Sequence, residues 1–144
     1  MTPFREKPRI KVKDVGLMGR CKKQIFIVDD DVSVCRALKV LLTTHGFTVN
    51  TFTSSERFFS AVPDSVCGCL ILDICMPGLD GWETLKRIVG SGSDRPVILI
   101  SADKNGGVHK KALIAGAIGF LQKPFNDQAL VELINSAVEQ KGDV

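Results

Sequence analysis

No apolar run in this 144-residue chain reaches the roughly 18 residues that a membrane-crossing helix needs. The opening segment, MTPFREKPRIKVKDVGLMGR, is basic but lacks the apolar stretch of a secretory leader. A cytoplasmic protein with no membrane partner is therefore expected. Neither GxGxxG nor GxxxxGK[ST] occurs, so the glycine-rich turns that bring backbone N–H groups to a phosphate are missing, and bound FMN or NAD is disfavoured. The two histidines, His45 and His109, stand isolated, and Cys67-Gly-Cys69 has no second Cys or His pair at ligand spacing. A thiolate zinc site is disfavoured on that ground. The five cysteines (Cys21, Cys35, Cys67, Cys69 and Cys75) are odd in number and most sit in apolar runs. They read as small buried hydrophobes in a reducing compartment. The chain contains no helix-turn-helix segment, so no DNA-binding domain is expected of it.

What is present is ordinary in bulk and uneven in distribution. Hydrophobic residues make up 44% and charged residues 24% of the chain, enough for one soluble domain with a core. Residues 1–23 carry eight Lys/Arg against Glu6 and Asp14, whereas the remainder carries eleven Lys/Arg against fourteen Asp/Glu. A basic, solvated extension over 1–22, a folded body over 23–140 and a short tail over 141–144 are the expected divisions.

Five short apolar runs alternate with amphipathic stretches. Gln24 to Val28 and Val66 to Leu72 are apolar on both faces, as central strands are, and Val97 to Ile100 and Ile118 to Gln122 are the fourth and fifth strands. Phe47 to Phe52 alternates, which marks an edge strand. Val32 to His45 has helical spacing and is stopped by Gly46. Ser54 or Ser55 can cap a short helix bearing Phe58, Phe59 and Val62. Trp82 to Val89 and Gly107 to Ala115 are the next helices, the latter pliable because glycines flank it. Asn126 caps the last. Asp31 reads as the cap of the first helix, and Asp80 as a turn residue. The result is an α/β fold: a doubly wound, five-stranded parallel sheet of order 2-1-3-4-5 with helices on both faces, a flavodoxin-like three-layer sandwich.

That order sets the first and third strands side by side, so Asp29, Asp30 and Asp73 meet at the strand carboxyl ends. Ser101 and Lys123 close the next two strands. Three carboxylates within a few ångströms repel one another, and a hard divalent cation such as Mg²⁺ resolves the conflict. Taken singly, each residue has an ordinary role as helix cap, turn residue, loop hydroxyl, surface lysine or core aromatic. Jointly, at four strand ends, they do not.

IFIVDDD, LDICMPGLDGWE, VILISA and FLQKPF, in that order and at these spacings, resemble the receiver domain of two-component response regulators over Lys23 to Glu139. The resemblance implies Asp73 as phosphoacceptor, attacking a phosphohistidine on a sensor histidine kinase. It implies Mg²⁺ held by Asp30 and Asp73, by Asp29 through water, and by the Cys75 backbone carbonyl. Lys123 then pairs with the phosphoryl oxygens, and Ser101 and Phe120 form the switch. A cis Lys123–Pro124 bond, slow self-dephosphorylation tuned by Cys75 and Asp103, and an output face on helix four, strand five and helix five are implied as well. Through that face the domain would dimerise or meet an output domain or protein, whether it stands alone or comes from a longer regulator. A phosphorylation-independent interaction module is the competing reading. A small-molecule phosphatase ranks below both, because Cys75 stands where a second acid/base carboxylate would be needed.

Overall fold

The computed structural model describes residues 23–104 and 106–142. The expected basic extension, with Cys21, and the last two residues lie outside the described residues. Five parallel strands, β1 (Gln24–Val28), β2 (Thr48–Phe52), β3 (Cys69–Asp73), β4 (Val97–Ser101) and β5 (Gly119–Gln122), form one sheet of order β2-β1-β3-β4-β5. Between them run α1 (Val32–Thr44), α2 (Ser55–Ala61), α3 (Gly81–Gly90) and α4 (Gly107–Ile114), and α5 (Asp127–Gly142) follows. The last helix thus continues past residue 140.

The sheet is buried because each strand feeds two cores. Ile25, Ile27, Ile71, Ile98 and Ile100 meet Leu38 and Leu42 of α1 and Leu130 and Ile134 of α5. Phe26, Val28, Leu70, Leu72 and Leu99 point the other way, onto Phe58 of α2, Leu85 and Ile88 of α3 and Ala112 of α4. Strand side chains alternate faces with period two, so a strand covered on both sides carries apolar residues at every position. The edge strands keep exposed polar positions, Thr48 and Asn50 in β2 and Gln122 in β5.

The helix ends follow from local chemistry. The Asp31 carboxylate accepts from the Ser33 and Val34 N–H groups, capping α1. Gly46, at φ +89°, ends it in the left-handed conformation that glycine adopts without steric cost. Ser54, rather than Ser55, caps α2. Asp80 is more than the expected turn residue. It caps α3, its carboxylate accepting from the Glu83 N–H while Glu83 reaches back to the Asp80 N–H. Asn126 accepts from the Gln128 and Ala129 N–H groups at the start of α5. Helix α4 has no side-chain cap at Gly106 and buries only Ala112, in keeping with its flanking glycines.

Two expectations are corrected. β3 begins at Cys69, not Val66, because the preceding backbone is held by side chains instead of a neighbouring strand: Arg95 donates to the Val66 carbonyl (2.7 Å) and Gln24 to that of Cys67 (2.8 Å). Nor are the cysteines uniformly buried free thiols. Cys35 and Cys69 are, but Cys75 is exposed and Cys67 is only half-buried. Apolar neighbours in sequence do not bury a residue that the topology puts on a loop.

Candidate functional site

Four strands, β1, β3, β4 and β5, end at the same rim and deliver the polar residues there. β1 stops at Val28 where the Asp29 N–H turns to the Phe52 carbonyl (3.1 Å). Val28 lies opposite Leu72, so Asp73 emerges beside Asp29. Asp73 in turn lies opposite Ile100, and Ser101 opposite Gln122, which steps Ser101 and Lys123 along the same rim. Asp29, Asp30 and Asp73 each offer a carboxylate oxygen, and these oxygens lie within 4.8 Å of one another.

Burial makes the crowding consequential. Asp29 is fully buried, Asp73 is buried, and Asp30 is exposed. Asp29 Oδ1 accepts from the Asp31 N–H (2.9 Å) and its Oδ2 from Lys123 Nζ (3.0 Å). Lys123 Nζ also stands 3.6 Å from Asp73 Oδ2, and the Cys75 N–H donates to Asp73 Oδ1 at 3.2 Å. Burial, together with the neighbouring Asp29 carboxylate, pushes the Asp73 carboxyl up to about 6, although Lys123 and the Cys75 N–H oppose it. Burial alone would lower the Lys123 ammonium. Its hydrogen bond and attraction to Asp29, with Asp73 beyond, outweigh that and leave it raised and cationic.

The family model of the response regulator receiver domain matches residues 25–135. This chain belongs to that family. It is a receiver domain of the two-component response regulators. The chain is 37% identical over 119 residues to the transcriptional regulatory protein FixJ of Bradyrhizobium diazoefficiens, covering 83% of this chain and 58% of FixJ. It is 38% identical over 115 residues to the response regulator protein TmoT of Ectopseudomonas mendocina, covering 80% of this chain and 52% of TmoT. The receiver therefore spans little more than half the length of these relatives. Among solved structures, full-length FixJ from B. japonicum superimposes with a TM-score of 0.77 at 37% identity, over 83% of this chain and 59% of that one. A response regulator receiver protein from Burkholderia phymatum does so with a TM-score of 0.71 at 39% identity, over 81% and 94% of the two chains.

In this receiver the residues singled out from sequence fall into two groups. Asp29, Asp30, Asp73 and Lys123 form one cluster, and the Cys75 backbone touches it through Asp73. Ser101 adjoins that cluster through the Lys123 backbone, whereas Phe120 lies on β5 against α4. The fully buried Ser101 hydroxyl accepts from the Asp103 N–H (2.9 Å), and the half-buried Phe120 ring stacks on His109 with centroids 5.4 Å apart. The Lys123 N–H donates to the Ser101 carbonyl (2.7 Å), and the Lys123–Pro124 bond is cis, as the family pattern implied.

Gly81 escaped the sequence reading except as half of an Asp-Gly turn. A Cβ there would stand 2.6 Å from the Asp73 carbonyl oxygen and 2.5 Å from Ile74 Cα, because α3 packs its first turn directly on the end of β3. Gly90, at the far end of the same helix, would meet nothing within 4 Å. We expect Gly81→Ala to destabilise the receiver by about 2–3 kcal/mol or more, since rigid backbone must give way. Gly90→Ala should instead stabilise it by up to about 1 kcal/mol through helix propensity. Urea denaturation of the two variants checks the opposite signs.

Proposed function

We propose that this receiver accepts a phosphoryl group on Asp73 from the phosphohistidine of a sensor histidine kinase, with Mg²⁺ as cofactor. The observation that carries the reading is the four-residue cluster itself. Buried carboxylates of Asp29 and Asp73 converge with the exposed Asp30 on one lysine, in a chain of the receiver family. The donor set suits a hard cation, being carboxylate oxygens rather than thiolate or imidazole. Asp30 and Asp73 would hold the ion directly, with the Cys75 carbonyl. Asp29, whose two oxygens are already taken by the Asp31 N–H and Lys123, would act through water. When bound, Mg²⁺ supplies positive charge to the phosphoryl oxygens.

Asp73 Oδ2 is the nucleophile in this reading, because Oδ1 is held by the Cys75 N–H. A new O–P bond forms as the N–P bond of the phosphohistidine breaks, and the imidazole leaves with the electron pair. A carboxylate attacks a charged phosphoryl group poorly unless the equatorial oxygens are neutralised. Lys123, within 3.6 Å of Asp73 and kept cationic by Asp29, contributes that neutralisation from the chain's own residues. Ser101 would exchange its Asp103 partner for the phosphoryl group, and Phe120 would leave His109 and move inward. That repacks the face formed by α4, β5 and α5 and biases dimerisation or the docking of an output partner. Hydrolysis of the acyl phosphate by water returns Asp73 to its carboxylate, with Cys75 and Asp103 flanking the path. Among the described residues no helix is long and apolar enough to cross a membrane.

Intact-mass analysis after incubation with acetyl phosphate tests the reading. One phosphoryl adduct is expected with Mg²⁺ and none after chelation. An equal adduct without the metal, or none under either condition, would sink it.

A further inference from the structure

The loop between β3 and α3, residues 74–80, carries the backbone that faces the site. It is pinched at its base by the Gly81 N–H donating to the Ile74 carbonyl (2.9 Å). Its crown has no such internal tie. It is gripped from outside by the first turn of α2. The Leu79 N–H donates to Glu56 Oε2 at 3.3 Å, and a Cβ on Gly78, at φ +76°, would stand 3.3 Å from that same oxygen. The glycine turn thus closes around the carboxylate.

The neighbouring residue reinforces the grip. Ser55 and Thr84 are both fully buried and share a hydroxyl–hydroxyl hydrogen bond, and Thr84 Oγ1 also lies 2.7 Å from the Asp80 carbonyl. With one proton per hydroxyl, Thr84 gives its proton to Asp80 and takes that of Ser55. Ser55 therefore anchors the end of the loop while Glu56 anchors its crown. At the other end the Cys75 N–H holds Asp73 Oδ1. A displacement of the crown is transmitted to Cys75, four residues before Leu79 in a loop fixed at both ends.

We infer that Glu56 is a positioning residue for the metal and phosphoryl site, acting through the loop that it holds. The inference rests on the phosphoacceptor reading above and adds a residue to it. Glu56 touches neither the metal nor the phosphoryl group. It places the backbone of Cys75, whose carbonyl belongs to the proposed metal shell and whose N–H orients the nucleophile. Removing it should therefore weaken metal binding more than it slows the metal-loaded reaction. Groups that orient metal ligands from outside the ligand set commonly change affinity by about ten- to a hundredfold. Glu56 acts one step farther out, through backbone, so an effect on the order of fivefold is expected.

The test is calorimetric titration of the metal-free chain with MgCl₂, with acetyl phosphate labelling followed by intact mass at low and saturating Mg²⁺. It is applied to the wild type, Glu56→Ala and Glu56→Gln. For Glu56→Ala we expect the Mg²⁺ dissociation constant to rise about fivefold. Labelling should be slow at low Mg²⁺ and reach the wild-type rate at saturation. Glu56→Gln should stay close to wild type, since its amide oxygen still accepts from Leu79. A remote negative charge that merely attracts the cation would make Gln as poor as Ala, and that result overturns the positioning role. Unchanged Mg²⁺ affinity in Glu56→Ala overturns it as well. A wild type that binds no Mg²⁺ and gains no adduct defeats the phosphoacceptor reading itself, and this inference with it.

Discussion

Asp73→Asn is expected to abolish the phosphoryl adduct and, in metal-free buffer, to make the protein more stable than the wild type. The loss of labelling follows from the amide's failure as a nucleophile. The gain in stability follows from linkage. The Asp73 carboxyl is raised to about 6 by burial and by Asp29, above the roughly 3.9 of an unfolded aspartate. For an acid raised on folding, the folded state binds the proton more tightly than the unfolded one. The protonated form is thus no burden below about pH 4, the ionised form destabilises as pH rises from about 4 to 6, and the full cost stands above that. A shift of two units corresponds to about 3 kcal/mol, an upper figure for a group with a lysine beside it. Asn should therefore exceed wild type by ~1–3 kcal/mol at pH 7.5 with EDTA, and the difference should shrink towards pH 4. Denaturant melts at the two pH values measure it. A variant less stable than wild type at pH 7.5 would mean that Lys123 already compensates the crowding in full. Added Mg²⁺ should close most of the gap, because the cation binds the carboxylates of the wild type and finds one fewer in the variant.

Phe58→Ala is the substitution expected to cost the fold most, about 3–5 kcal/mol. Phe58 is 1% exposed and its ring meets Phe26, Phe52 and Phe59 at centroid distances of 5.7, 5.5 and 5.5 Å. A second consequence adds to the cavity. The Arg95 guanidinium stands 5.2 Å from the Phe58 ring centroid and 5.3 Å from that of Phe26, while its Nη1, buried, has no hydrogen-bond acceptor. Its Nη2 donates to the carbonyls of Pro63 and Val66. The aromatic faces join these carbonyls and the nearby Asp64 carboxylate in compensating the buried cation, and truncating one ring weakens that set. For a domain of this size the cost lowers the melting temperature by roughly 10–20 °C. Melting curves at one pH check it, and a fall of only a few degrees would show that the cluster collapses to fill the space.

Much of this was legible from the chain because the signals are local. Runs apolar on both faces identify buried strands, the alternation of β2 marks one edge, and short right-handed crossovers supply the rest of the order. The Asp29-Asp30, Asp73, Ser101 and Lys123 positions could be assigned to strand ends because each follows such a run directly. Asp31 and Asn126 announce their helices by residue type, whereas the choice of Ser54 over Ser55 came only from the structure. Where local reading failed, a distant residue was the cause. Val66 and Cys67 look like strand, but Arg95 and Gln24 take their carbonyls out of the ladder. Asp80 is the exception: its capping box with Glu83, three residues on, is a local pattern that the turn reading passed over.

The sequence by itself determined the parallel sheet, its order, the set of residues brought to one edge and, through four motifs in register, the receiver family. Periodicity and strand-end chemistry are properties of contiguous residues, and topology rules convert them into a fold. Only the tertiary structure decided how those residues share their charges: that Asp29 spends both oxygens on Asp31 and Lys123, that Asp73 is the carboxylate left crowded, and that Glu56, 23 residues before Leu79, holds the loop beside it. Hydrogen-bond partners and burial are set by packing between elements remote in the chain, and no pattern within one segment encodes them.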